Sequence, residues 1–221
     1  HGKGGDERTG FNIRIAAMLD KEIISGGIKP VIMVFPNCGS FSMFCDSYDS
    51  TIMGETILIK ELMPFIDANY STIPSPEGRA LEGFSMGGFG AVKLAFKYPG
   101  LFCSVAAIAG SFHDLESVSK NRPEVYAQMF GSNSSYFNSN SPYILAGENA
   151  GLIKKNIKLK FVNGSNDFTI ENNYKLNRRL DSLGIDYEFK MLEGFKHIPG
   201  PYYEKEGLEC HRFHMKNFGL M

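Results

Sequence analysis

The chain has 221 residues, 43% of them hydrophobic and 21% charged, with a net charge of −1. A near-neutral balance without a basic run speaks against a nucleic-acid partner. Apolar runs such as Val31–Phe35 fall far short of the ~20 residues of a membrane-spanning helix. A chain of this length can bury roughly 70% of its unfolded surface as one domain, and no short repeat or low-complexity tract divides it.

The chain starts with a glycine-rich run, His1-Gly2-Lys3-Gly4-Gly5, in which a backbone N–H can approach a bound group closely, with a loose segment as the alternative reading. Phe11, Ile15, Met18, Leu19 and Ile23 keep helical spacing up to Gly26-Gly27. Val31–Phe35 is a continuous, β-branched-rich run, the pattern of a parallel strand buried on both faces. The polar stretch 38–53 that follows carries scattered aromatics and lies where ligand loops sit in open α/β sheets. Residues 55–70 predict a helix with Leu58, Leu62, Phe65 and Ile66 inward and a kink at Pro64.

Residues 79–99 predict a strand, a turn holding Ser85 and a helix that stops at Pro99-Gly100. In that helix Phe89, Val92 and Phe96 share the apolar face, with Lys93 and Lys97 turned away from it. Another buried strand is expected at Val105–Ala109. Residues 112–157 break the strand-helix rhythm and read as an insertion, a lid or pocket wall, within a single domain spanning 1–221. Its aromatics Phe112, Tyr126, Phe130, Tyr136, Phe137 and Tyr143 line a pocket or, for most of them, form the insertion's own core. Then come a strand at Lys158–Val162, a helix at Glu171–Leu183, a strand at Asp186–Met191 and a closing helix from Tyr202 to Phe218. This alternation specifies an α/β fold, a mostly parallel sheet wrapped by helices.

The pattern Gly83-x-Ser85-x-Gly87 is that of the nucleophile elbow of α/β-hydrolases. A serine on so sharp a turn sits in strained backbone, and glycines two positions away let the chain pass. The helix that follows aims its N–H groups at the space above Ser85. A serine hydroxyl needs a neutral imidazole to take its proton, and that imidazole needs a carboxylate to hold its tautomer. Asp167 and His197 follow Ser85 in the chain order Ser, Asp, His, and all three stand at turns after predicted strands. His113 is the rival base but precedes the acid, while Glu171 and Asp181, rival acids, fall within a predicted helix. His211 and His214, three apart on the last helix, read as surface residues rather than a metal pair. Glu82, a carboxylate inside the elbow strand, needs partners. The four cysteines (Cys38, Cys45, Cys103, Cys210) have no metal spacing and are read as free thiols, with a Cys38–Cys45 pair as the alternative.

Gly-Phe-Ser-Met-Gly-Gly-Phe-Gly-Ala at 83–91, Arg79-Ala80 before it, Ile28-Lys29-Pro30 with Pro36-Asn37, and Gly194-Phe-Lys-His197 together resemble the putative esterase family. That family includes carbohydrate esterase family 1 feruloyl and acetyl-xylan esterases, S-formylglutathione hydrolases and the antigen 85 mycolyltransferases. The likeness covers nearly the whole chain and is weakest across 112–157. It implies an α/β-hydrolase fold from which the strands normally preceding the His-Gly-x-Gly-Gly loop are missing. It also implies a serine carboxylesterase without cofactor or metal, with Ser85 as nucleophile, Asp167 as acid and His197 as base. The backbone N–H groups of Lys3 and Met86 would form the oxyanion hole. The implied substrate is a feruloyl or acetyl ester on plant polysaccharide, which places the protein in xylan degradation and in a secreted or periplasmic setting. A small acyl thioester or short-chain ester is the alternative substrate, and a non-catalytic binding module the alternative of another class. A homo-oligomer is left open.

Overall fold

The computed structural model describes residues 1–221; of Phe11, whose helical placement was predicted above, the side chain lies outside the described residues. Four strands, β1 (Ala80–Phe84), β2 (Ser104–Ile108), β3 (Lys158–Gly164) and β4 (Glu188–Leu192), form one sheet in the order β1-β2-β3-β4. Every pairing is parallel, with registers such as Leu81 to Val105, Ala107 to Phe161 and Phe161 to Phe189. Parallel neighbours require crossover connections, and helices supply them.

Because successive side chains on a strand point to opposite faces, β2 and β3 feed two separate cores. Val105, Ala107, Leu159 and Phe161 join the larger one, with α5 (Met86–Lys97) and the helices between β2 and β3. Ala106, Ile108 and Val162 join the other, with Ile15 and Leu19 of α2 (Ile15–Ile24) and Cys210 and Met215 of α13 (Leu208–Asn217). Residues 115–156 form α6 (Leu115–Asn121), α7 (Pro123–Phe130), α8 (Ser134–Asn138), α9 (Pro142–Glu148) and α10 (Ala150–Asn156). Phe112, Phe130 and Phe137 are buried among these helices and the sheet, and Tyr126, Tyr136 and Tyr143 pack on the same core half-buried.

Several local expectations need correction. The predicted first helix is two: α1 (Thr9–Asn12) and α2, broken where Arg14 takes a left-handed φ of 57°. The 55–70 helix is built from α3 (Gly54–Thr56), a π-helical segment (Ile57–Leu62) and α4 (Met63–Asn69). The Met63 N–H reaches back to Leu58 O, and widening the turn there accommodates Pro64, which has no N–H and would clash with an ordinary helical carbonyl. Phe65, expected inward, is largely exposed.

Lys93, expected to face away from the core, is fully buried. Helix α5 is covered all round, so its polar face has to find partners inside the protein. Lys93 Nζ donates to Glu55 Oε2 and to Phe44 O, both at 2.6 Å, while Lys97 Nζ lies 2.8 Å from Glu55 Oε1 and Tyr98 Oη donates to the same oxygen at 2.5 Å. Burial pushes the Glu55 carboxyl up, but the Lys93 charge and the three donors outweigh it and hold the group down to about 2.

The largest departure is at Val31–Phe35, which is not a strand. Ile32, Met33, Val34 and Phe35 are 37–47% exposed. An extended segment becomes a strand only when its N–H and C=O groups meet a neighbouring backbone. The free edge of β1 is the nearest candidate, but a cavity of about 690 Å³ lies between it and Val31–Phe35. Leu58 and Leu62 wall this slot on one side, His214 and Phe218 on the other.

Two outcomes follow. Glu55→Gln leaves the Lys93 ammonium buried without a counter-charge and lowers stability by about 3–5 kcal/mol at pH 7, read from urea unfolding midpoints. Since the folded carboxyl titrates below its ordinary 4.5, its contribution is complete above that value and fades as pH falls towards about 2. The difference between wild type and variant therefore narrows over the same window. The apolar slot beside β1 binds 1-anilinonaphthalene-8-sulfonate while near-UV circular dichroism still reports a folded protein; no fluorescence rise would mean that the slot is closed in solution.

Candidate active site

The turn between β1 and α5 carries Ser85 at φ 56°, ψ −113°, a backbone conformation few residues adopt. A Cβ on Gly83 would lie 2.3 Å from the carbonyl carbon of Gly87, so the close crossing of strand and helix requires glycine there. The strained residue is pinned by its own main chain. Ser85 N–H donates to Ile108 O at 2.9 Å, and Ser85 O accepts from Ser111 and Phe89 N–H, each at 3.0 Å.

Asp167 stands in the turn after β3 and His197 in the loop after β4, so the three side chains meet at the carboxyl edge of one parallel sheet. His197 Nε2 lies 2.8 Å from Ser85 Oγ, and His197 Nδ1 lies 2.9 Å from both Asp167 oxygens. A carboxylate can only accept, so Nδ1 carries the ring proton and Nε2 is free to accept from the serine hydroxyl. The imidazole is held between Phe84 (centroids 4.7 Å apart) and the exposed Phe168 (4.3 Å).

Two partners of Asp167 went unnoticed in the sequence. Thr169 donates to Oδ1 through both its N–H (2.9 Å) and its hydroxyl (2.7 Å), and Tyr202 Oη donates to Oδ2 at 2.8 Å. The Asp-x-Thr spacing is a local turn signal that could have revealed Thr169. Tyr202, the last residue of α12 (Pro199–Tyr202), has no sequence signal beyond standing five residues after His197. Burial pushes the Asp167 carboxyl up; hydrogen bonds from His197, Thr169 and Tyr202 more than offset it, and the group ends below its ordinary value. Tyr202 in turn is pushed up by burial and by its bond to Asp167.

Of the rival residues, Glu171 lies in α11 (Ile170–Leu183) and Asp181 accepts from Tyr187 Oη at 3.0 Å. His113 hydrogen-bonds through Nδ1 to Ser117 Oγ at 2.8 Å, and faces the same cavity as Ser85. His211 and His214, expected at the surface, are buried. His214 packs under the sheet, with Nδ1 2.8 Å from Ser104 Oγ and Nε2 3.4 Å from Glu82, which is the partner the strand carboxylate needed. All four cysteines are free thiols.

The glycine-rich segment lies over the elbow. A Cβ on Gly2 would sit 3.5 Å from Ser85 Cβ. Gly4 N–H donates to Ser40 O at 2.7 Å and Gly5 N–H to Gly2 O at 3.0 Å, while Lys3 Nζ pairs with Glu124 of α7 at 3.2 Å. Lys3 and Met86 both line the cavity of about 460 Å³ that contains Ser85 and His197.

A family model described as "Putative esterase" matches residues 5–183. The chain therefore belongs to the esterase family. Among curated proteins it is 38% identical over 113 residues to Esterase Rv1288 of Mycobacterium tuberculosis (strain ATCC 25618 / H37Rv), a match covering 50% of this chain and 24% of that protein. It is 30% identical over 122 residues to the endo-1,4-beta-xylanase/feruloyl esterase of Xylanibacter ruminicola, covering 53% of this chain and 17% of that protein. These matches thus span about a quarter or less of the relatives' length. Among solved structures a ferulic acid esterase superposes with a TM-score of 0.83 at 21% identity, over 99% of this chain and 83% of that one, a likeness of fold.

Tyr202→Phe removes one donor from Asp167 and lowers stability by about 1–2 kcal/mol at pH 7. Losing that donor lets the folded carboxyl titrate closer to its ordinary value. The deficit is therefore full above the carboxylate range and shrinks as pH falls through it, as denaturant midpoints taken across pH 3–7 will register.

Proposed function

We propose that the chain is a serine carboxylesterase working through Ser85, His197 and Asp167. The observation that carries this reading is the single imidazole bridging the hydroxyl at 2.8 Å and the carboxylate at 2.9 Å. Ser85 Oγ attacks the ester carbonyl while its proton passes to His197 Nε2, forming the new C–O bond of a tetrahedral intermediate. That proton then goes to the alcohol oxygen as the alcohol C–O bond breaks, leaving an acyl-enzyme. Water repeats the sequence: His197 takes its proton, and the Ser85 ester is cleaved to release the acid. Asp167 keeps the Nδ1 proton in place and stabilises the imidazolium. The N–H of Met86, at the first position of α5 with no carbonyl to bond within the helix, and the N–H of Lys3 receive the oxyanion.

The proposed substrate is a feruloyl or acetyl ester carried on plant polysaccharide. The ferulic acid esterase fold and the xylanase/feruloyl esterase relative support that choice.

Ser85→Ala and His197→Ala each lower kcat/KM on 4-nitrophenyl acetate by at least about a thousandfold, and Asp167→Asn lowers kcat by roughly 10⁴. A fluorophosphonate probe labels Ser85 in the wild type; an unlabelled, folded protein would instead mark a non-catalytic module. A panel of methyl ferulate, 4-nitrophenyl acetate and S-formylglutathione ranks substrates, and faster turnover of the thioester would overturn the polysaccharide-ester assignment.

A further inference from the structure

Phe168 is 62% exposed, although the residues on either side of it, Asp167 and Thr169, are 2% and 1% exposed. It stands in the turn between β3 and α11, and among the described residues it joins neither of the two cores. A ring so placed removes little apolar surface from water and adds little to folding stability. What it touches is the imidazole of His197.

The backbone beneath the ring is fixed. Asp167 N–H donates to Gly164 O at 3.2 Å, Ile170 N–H donates to Asp167 O at 3.1 Å, and Thr169 O accepts from Asn173 Nδ2 at 2.9 Å. From this rigid turn the ring projects to within 4.3 Å of the His197 imidazole, centroid to centroid, closer than the 4.7 Å of the buried Phe84. At that separation the two rings are in van der Waals contact. Three consecutive residues thus serve one pair of side chains. Asp167 accepts from the imidazole, Phe168 lies against the imidazole, and Thr169 donates to the carboxylate.

In the resting site His197 is tied at both ends, by Asp167 at Nδ1 and by Ser85 at Nε2. The second tie does not last through the proposed reaction. Once Ser85 Oγ is bonded to the acyl carbon, the Nε2 proton has to turn to the alcohol oxygen. The imidazolium is then hydrogen-bonded to the protein through Nδ1, and its side chain is 16% exposed. Packing against the ring is what opposes a swing out of line at that moment.

We infer that Phe168 is a positioning residue for His197, holding the imidazolium in line while its proton is handed to the leaving alcohol and, in the second half of the cycle, back to Ser85. The inference rests on the proposed acyl-enzyme mechanism and adds a side chain that works through the base.

The test is steady-state kinetics on 4-nitrophenyl acetate. Phe168→Ala lowers kcat by about five- to tenfold and leaves KM within about twofold of wild type. Acylation and deacylation pass through the same imidazolium, so both slow together, and KM, which depends on their ratio, holds. Phe168→Tyr keeps the ring and recovers most of the wild-type kcat, while Phe168→Leu falls between. Urea midpoints stay close to wild type, because the ring is exposed. Should Phe168→Ala not fold, Phe168→Leu is read against Phe168→Tyr in its place. Unchanged kcat in the ring-less variants, or a Tyr variant as slow as they are, overturns the inference. So does a raised KM at unchanged kcat, which would make the ring a substrate contact. In each of those cases a wild type labelled at Ser85 by a fluorophosphonate leaves the esterase reading intact, whereas an unlabelled wild type overturns both.

Discussion

Ser85 is held in a backbone conformation it would not adopt alone, and much of the architecture serves to hold it there. At φ 56° the residue costs about 1–3 kcal/mol relative to relaxed backbone. That cost is met by a strand and a helix that can cross closely only because Gly83 has no side chain, by the Ser85 N–H bond to Ile108 O, and by the bonds Ser85 O accepts from Ser111 and Phe89. Shifting β1 against β2 by one residue would move Ile108 O out of reach of Ser85 N–H. Strand register and the position of the hydroxyl are therefore one constraint.

The other two members of the site depend on the same sheet. Each of the turns after β3 and β4 delivers one side chain to the carboxyl edge, and the parallel registers bring His197 within hydrogen-bond distance of Ser85 and Asp167 within that of His197. Thr169 and Tyr202 then hold the carboxylate from two further directions, so Asp167 cannot turn away from His197 without breaking three donors' bonds. Behind the elbow, Lys93 ties α5 to Glu55 and to the Phe44 carbonyl. A buried ion pair of this kind adds little net stability over an apolar replacement, but it specifies which loop lies against the helix.

The strand-helix alternation, the elbow at Ser85 and the order of Ser85, Asp167 and His197 were legible because they depend on local patterns and on where turns fall. Strands β1, β2, β3 and β4 lie within a few residues of the segments predicted from apolar runs. The contrasting cases are informative. Val31–Phe35 has the composition of a buried strand yet remains unpaired, because composition describes what a segment tolerates and not whether an edge is beside it. Lys93 follows the same lesson: a helical wheel assigns it to the outer face, but α5 has no outer face. His211 and His214 also look like solvent groups and are buried.

The sequence by itself determined the class of fold, the strained serine turn and the chemical types available at each strand end, since these follow from glycine positions, hydrophobic period and chain order. Only the tertiary structure decided that Thr169 and Tyr202 converge on Asp167, that Glu55 neutralises Lys93, that Glu82 meets His214, and that Phe168 packs on His197. Apart from Thr169, each of these pairs residues far apart in the chain or on separate elements, and such meetings are set by how helices pack on a sheet, which no local pattern encodes.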